Sequence, residues 1–86
     1  MSADNSVIVA NFKDGFRIGY GGAADNLQYM PDYHGYNREY LNYWFGKSEV
    51  YLTKTSALKA AHKLCNSIGF VEYGVSMITI DAPFQE

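Results

Sequence analysis

The sequence predicts a single α+β domain: a four-stranded antiparallel sheet in the order β-β-β-α-β, one main helix packed on one face, and an aromatic-rich insertion. Three observations carry this expectation. Asp14-Gly15 sits between two runs of β-branched and apolar residues, an amphipathic stretch over 56–67 follows two threonines, and an alternating segment closes the chain. The 86 residues suffice for one hydrophobic core, so 1–86 is expected to form one domain, with residues 1–5 disordered.

The first strand is expected over Ser6–Phe12, with Lys13-Asp14-Gly15 supplying turn chemistry and Phe16–Tyr20 returning as the second strand of a hairpin. Gly21-Gly22 then predicts that this strand ends or bulges. Pro31 closes the stretch that follows, and Asn37–Gly46 is either a two-turn helix, with Asn37 as N-cap and Gly46 just past its end, or an irregular aromatic loop. Glu49–Leu52 is expected as a short third strand. The main helix, Ser56–Ser67, is capped by Thr53 or Thr55, presents Leu58, Ala61, Cys65 and Ile68 as one apolar stripe, and ends at Gly69. Phe70–Ile80 is the last strand, with Tyr73, Val75, Met77 and Thr79 on one face and Phe70, Glu72, Ser76, Ile78 and Ile80 on the other.

Composition excludes several function classes. The formal charge of −2 argues against binding long nucleic acid through phosphate neutralisation. One cysteine, Cys65, rules out an intramolecular disulfide and points to a reducing, cytoplasmic setting, and no apolar run approaches the ~18 residues of a membrane span. Gly19-x-Gly21-x-x-Ala24 formally matches a dinucleotide fingerprint, but Pro31 follows too soon for the helix that motif requires. A strand bulge or sharp bend is expected there, with an anion on the Gly21 and Gly22 amides as the lesser alternative. His62 and Cys65 are spaced i, i+3, yet His34 is the only other histidine, so neither a metal nor a cofactor is expected. Cys65 lies in the apolar stripe, where a thiol is inert. Asp25 and Asp32 are ordinary loop charges, and the protein is not expected to be an enzyme.

The informative feature is aromatic: one Trp, eight Tyr and five Phe, with Tyr29, Tyr33, Tyr36, Tyr40 and Tyr43 recurring at intervals of 4, 3, 4 and 3 before Trp44 and Phe45. Pro31 and Gly35 argue against one continuous helix. Either these rings roof the sheet, or they form a recognition surface of the kind in which Tyr and Trp dominate hot spots. Arg17 and Arg38 could add bidentate contacts to carboxylate or phosphate. The candidate binding residues are therefore Tyr29, Tyr33, Tyr36, Arg38, Tyr40, Tyr43, Trp44 and Arg17. Stacking of a single nucleotide on the rings is a further alternative. Should the rings prove to be core, the binding surface is to be sought on Lys54, Lys59 and Lys63.

A likeness adds to this reading. Phe12-Lys13-Asp14-Gly15-Phe16-Arg17, Phe45-Gly46-x-Ser48-Glu49-Val50-Tyr51, the Thr-capped helix with Ala57, Ala60 and Ala61, and Glu72-Tyr73-Gly74-Val75 resemble small accessory, or early, proteins of large tailed bacteriophages. The likeness covers the hairpin and the C-terminal half, and its motifs are turns and caps. It implies stoichiometric binding that inhibits a host enzyme or antiviral defence protein in the host cytoplasm. Sequestration of a small nucleotide defence signal and a structural or assembly role are the alternatives. A host protein is the expected partner, and the chain is expected to be a homodimer.

Overall fold

The structure is a computed structural model, and it describes residues 5–22, 38–69, 71 and 74–84. Five elements follow in order: β1 (Asn5–Phe12), β2 (Gly15–Gly22), α1 (Arg38–Phe45), α2 (Lys54–Ile68) and β3 (Val75–Thr79). The α+β class holds. The sheet, however, has three strands in the order β2-β1-β3 and is mixed, so the expected four-stranded antiparallel sheet is corrected.

β1 and β2 form the expected antiparallel hairpin, with an unbroken register from Phe12↔Gly15 to Asn5↔Gly22. Asn5, assigned by composition to a disordered tail, is the first paired residue, and its side-chain amide donates to the Tyr20 hydroxyl at 2.8 Å. Gly15 takes φ +138°, a backbone conformation that side chains disfavour, so glycine suits the turn.

The third strand fails because only Tyr51 pairs, exchanging two 2.8 Å backbone hydrogen bonds with Phe16 before α2 begins at Lys54. This segment runs antiparallel to β2, hence in the direction of β1. Helix α2 then carries the chain back, as parallel pairing requires a crossover, and β3 lies parallel to β1 from Val7↔Val75 to Asn11↔Thr79. The last strand is thus shorter than Phe70–Ile80 and opposite in sense to the expectation.

With β1 in the centre, both its faces are covered, which accounts for the continuous apolar run Val7–Ala10, fully buried throughout. Ile8, Ala10 and Phe12 meet α1 through Trp44 and Phe45, joined by Ile78, Ile80 and Phe84. Val7 and Val9 meet α2 through Ala57 and Ala61. Phe12 packs edge-on against both Phe45 and Phe84, with centroids 5.6 and 5.2 Å apart.

Helix α2 is capped at Thr53, whose hydroxyl accepts from the Ser56 N–H at 3.1 Å, and the Gly69 N–H closes it on the Cys65 carbonyl. Its buried face is turned from the expected stripe. Ala57 and Ala61 are fully buried, whereas Leu58, Cys65 and Ile68 are half-buried, because two small residues let the helix sit close to the sheet.

The Asn37–Gly46 alternatives resolve to a helix, and Gly46 ends it by donating to the Asn42 carbonyl at 2.8 Å. Helix α1 reaches the sheet through Gly19 and Gly21. A Cβ on Gly21 would lie 2.8 Å from the Trp44 ring, and one on Gly19 would overlap the Trp44 carbonyl oxygen. The two glycines therefore make room for a helix; β2 ends at Gly22, one of the two expected outcomes, and its register carries no bulge up to that point.

Candidate functional site

The site grows from the hairpin register. Phe16 turns its N–H and C=O away from β1 toward Tyr51, so the alternate residues Ile18 and Tyr20 also point their backbone groups outward. The Ile18 N–H donates to Ser48 Oγ at 2.9 Å, and that hydroxyl in turn donates to the Glu49 carbonyl at 2.7 Å. Tyr20 comes next, and no described strand lies along it.

Here a cavity of about 600 Å³ opens between the two helices, with Gly19, Tyr20, Tyr43, Trp44, Lys47 and Leu64 among its walls. It lies beside the outer edge of β2, next to Ile18, Gly19 and Tyr20. Tyr20 and Tyr43 are 43% and 67% exposed, so two rings border the opening. Lys47 and Glu49 place one charge of each sign on its lining.

Of the candidate binding residues, Tyr43 and Trp44 meet at this cavity. Trp44 is nonetheless buried, its ring against Gly21 and its indole N–H without an acceptor among the described residues, so it is mainly a core residue. Arg17 is also buried. Its guanidinium lies 4.0 Å from the centroid of the Phe84 ring, and Nη1 makes one long bond, 3.4 Å, to the Ser48 carbonyl. Nε has no partner among the described residues, and the fork expected to meet a carboxylate or phosphate is turned into the protein. Arg38 and Tyr40 belong to the first turn of α1. Tyr29, Tyr33 and Tyr36 lie outside the described residues.

Tyr20, Lys47 and Ser48 were not legible as site residues. Tyr20 looks like any strand residue, and Ser48 matters through a side-chain bond that spans 30 positions. An indirect signal existed in Gly46, a helix-ending residue that hands the chain to the polar Lys47 and Ser48.

Elsewhere the chemistry is sparse. Among the described residues no group of three or more His, Cys, Asp or Glu could hold a metal ion. His62 is exposed on α2, and burial pushes the Cys65 thiol above its ordinary value, which lowers its thiolate fraction. No described helix is long and apolar enough to cross a membrane. No protein-family model matches the chain, and no curated protein or solved structure matches it either.

Proposed function

We propose that the protein works by stoichiometric binding, taking an extended segment of a target protein against the open edge of β2, and that it inhibits a host enzyme or antiviral defence protein as a phage-type accessory factor. The observation that supports this reading is the outer edge of β2 at Tyr20, along which no described strand runs and beside which a cavity of about 600 Å³ opens. An added strand would gain main-chain hydrogen bonds there, while the pockets beside it would select side chains. Tyr20 and Tyr43 offer rigid contact area at low entropy cost.

One feature favours the nucleotide alternative. A cavity of about 600 Å³ is of small-ligand size, and Lys47 beside two tyrosines could serve a phosphate and a base.

Capture of a target from bacterial lysate with tagged protein, followed by titration calorimetry, tests the reading. Tyr43→Ala should leave the melting temperature unchanged and weaken target binding by about 2 kcal/mol, the hot-spot threshold. Tyr20→Pro, which removes the outward N–H of the edge together with the ring and the hydroxyl that accepts from Asn5, should abolish it, and Tyr20→Ala, which keeps the N–H, should weaken it less. Unchanged affinity in Tyr43→Ala and Tyr20→Pro overturns strand capture, and heat from a nucleotide titration without any target supports the alternative.

A further inference from the structure

Helix α2 carries Lys54, Lys59, His62 and Lys63 and no acidic residue. Outside it the chain has nine Asp and Glu against four Lys and Arg. The charge is therefore segregated within a protein whose net charge is −2. This arrangement works against the helix itself. Lys54 opens it at the positive end of the dipole with no acid in the first turn, and Lys59 and Lys63 repel at i, i+4 where a glutamate would attract. Local rules broken on an exposed, well-formed element, without a gain inside the fold, are expected at functional surfaces.

The same face is concave. Thr55, Leu58, Lys59, His62, Lys63 and Asn66 line a shallow groove of about 570 Å³, in which half-buried Leu58 is the apolar member. It lies on the solvent side of α2, opposite Ala57 and Ala61, and so does not belong to the cavity at β2.

We infer that this groove docks an acidic polypeptide segment, whose carboxylates meet Lys59 and Lys63 and whose one apolar side chain rests on Leu58. Charge complementarity selects the acidic partner, and the apolar floor at Leu58 favours a peptide side chain over a phosphate backbone. Two like copies of this face repel, so a second α2 is not the occupant. The inference stands independently of strand capture at β2.

The test uses the full chain and a fluorescein-labelled peptide of alternating glutamates with one central leucine, followed by fluorescence anisotropy. Binding should weaken at least about tenfold when ionic strength rises from about 0.05 to about 0.3 M, since exposed charges are screened. Lys59→Glu/Lys63→Glu should weaken it at least as much, and the milder Lys59→Ala/Lys63→Ala measurably, with circular dichroism confirming that both fold. A glutamine-for-glutamate peptide should bind at least about tenfold less tightly. Equal binding of the glutamine peptide, indifference to both lysine variants, or no binding at low salt overturns the proposal. Tighter binding of a single-stranded oligonucleotide also overturns it, in favour of a nucleic-acid surface.

Discussion

At the scale of single residues, Arg17 carries a charge that the described protein leaves without an anion. Its positive group is packed on Phe84 and beneath Ser48, and a cation over an aromatic face recovers only part of the cost of leaving water. Methionine would keep the stem and lose the charge. Arg17→Met should therefore leave stability within about 1 kcal/mol of wild type or raise it, read from urea melts. A loss above about 2 kcal/mol would show that the guanidinium is compensated. Cys65 gives a pH-dependent counterpart. Burial holds its thiol above the reference value of 9.0, so the folded chain keeps a proton that the unfolded chain has released. Its contribution is complete below that value and is lost as pH rises past it. Between about pH 8 and about pH 10 the wild type should lose more melting temperature than Cys65→Ser, which has no thiol to titrate. Parallel falls in the two proteins would remove Cys65 as the cause.

At the scale of elements, the position of α1 is set by what β2 lacks. Gly19 and Gly21 face the helix, and their missing side chains are the space in which Trp44 and Phe45 sit. Gly21→Ala should cost about 1–3 kcal/mol by overpacking, and Gly19→Ala more, because its neighbour is backbone that cannot rotate away. Differential scanning calorimetry on both variants decides this, and a neutral Gly19→Ala would mean that α1 is free to shift. The other helix repeats the logic with alanines. Ala57 and Ala61 bring α2 down onto Val7 and Val9, which leaves Leu58 half-buried and available to the outer groove. The hairpin was readable from Asp14-Gly15 and its flanking runs, and α2 from its threonine cap and Gly69, since turns and caps are local chemistry. The two glycines were not readable in this way. Their Cβ-free surfaces have meaning only when the helix that fills them is in place.

At the scale of the whole molecule, the sheet ends in two edges. β2 is covered at Phe16 by Tyr51 and at Ile18 by Ser48, while no described strand borders β3 on its far side. Open edges invite pairing with another chain. We propose that two copies associate through such an edge. Sedimentation equilibrium at tens of micromolar should show a species of twice 9.7 kDa, and a persistent 9.7 kDa species would remove the proposal. A dimer built on β2 would compete with the target segment, whereas one built on β3 would leave the cavity at Tyr20 free. Concentration-dependent target affinity separates these two.

The sequence by itself determined the α+β class, the hairpin, and the presence of the main helix with its glycine end, while it left the N-cap open between Thr53 and Thr55 and placed the first helical residue two positions late. Each follows from interactions between residues close along the chain. Only the tertiary structure decided that β3 runs parallel to β1, that Trp44 and Arg17 belong to the interior, and that Tyr20 and Ser48 meet along the outer edge of β2. Those outcomes depend on which way α2 carries the chain and on contacts as distant as Ile18 with Ser48. Strand direction and edge pairing are properties of the assembled sheet, and no spacing within a single segment encodes them.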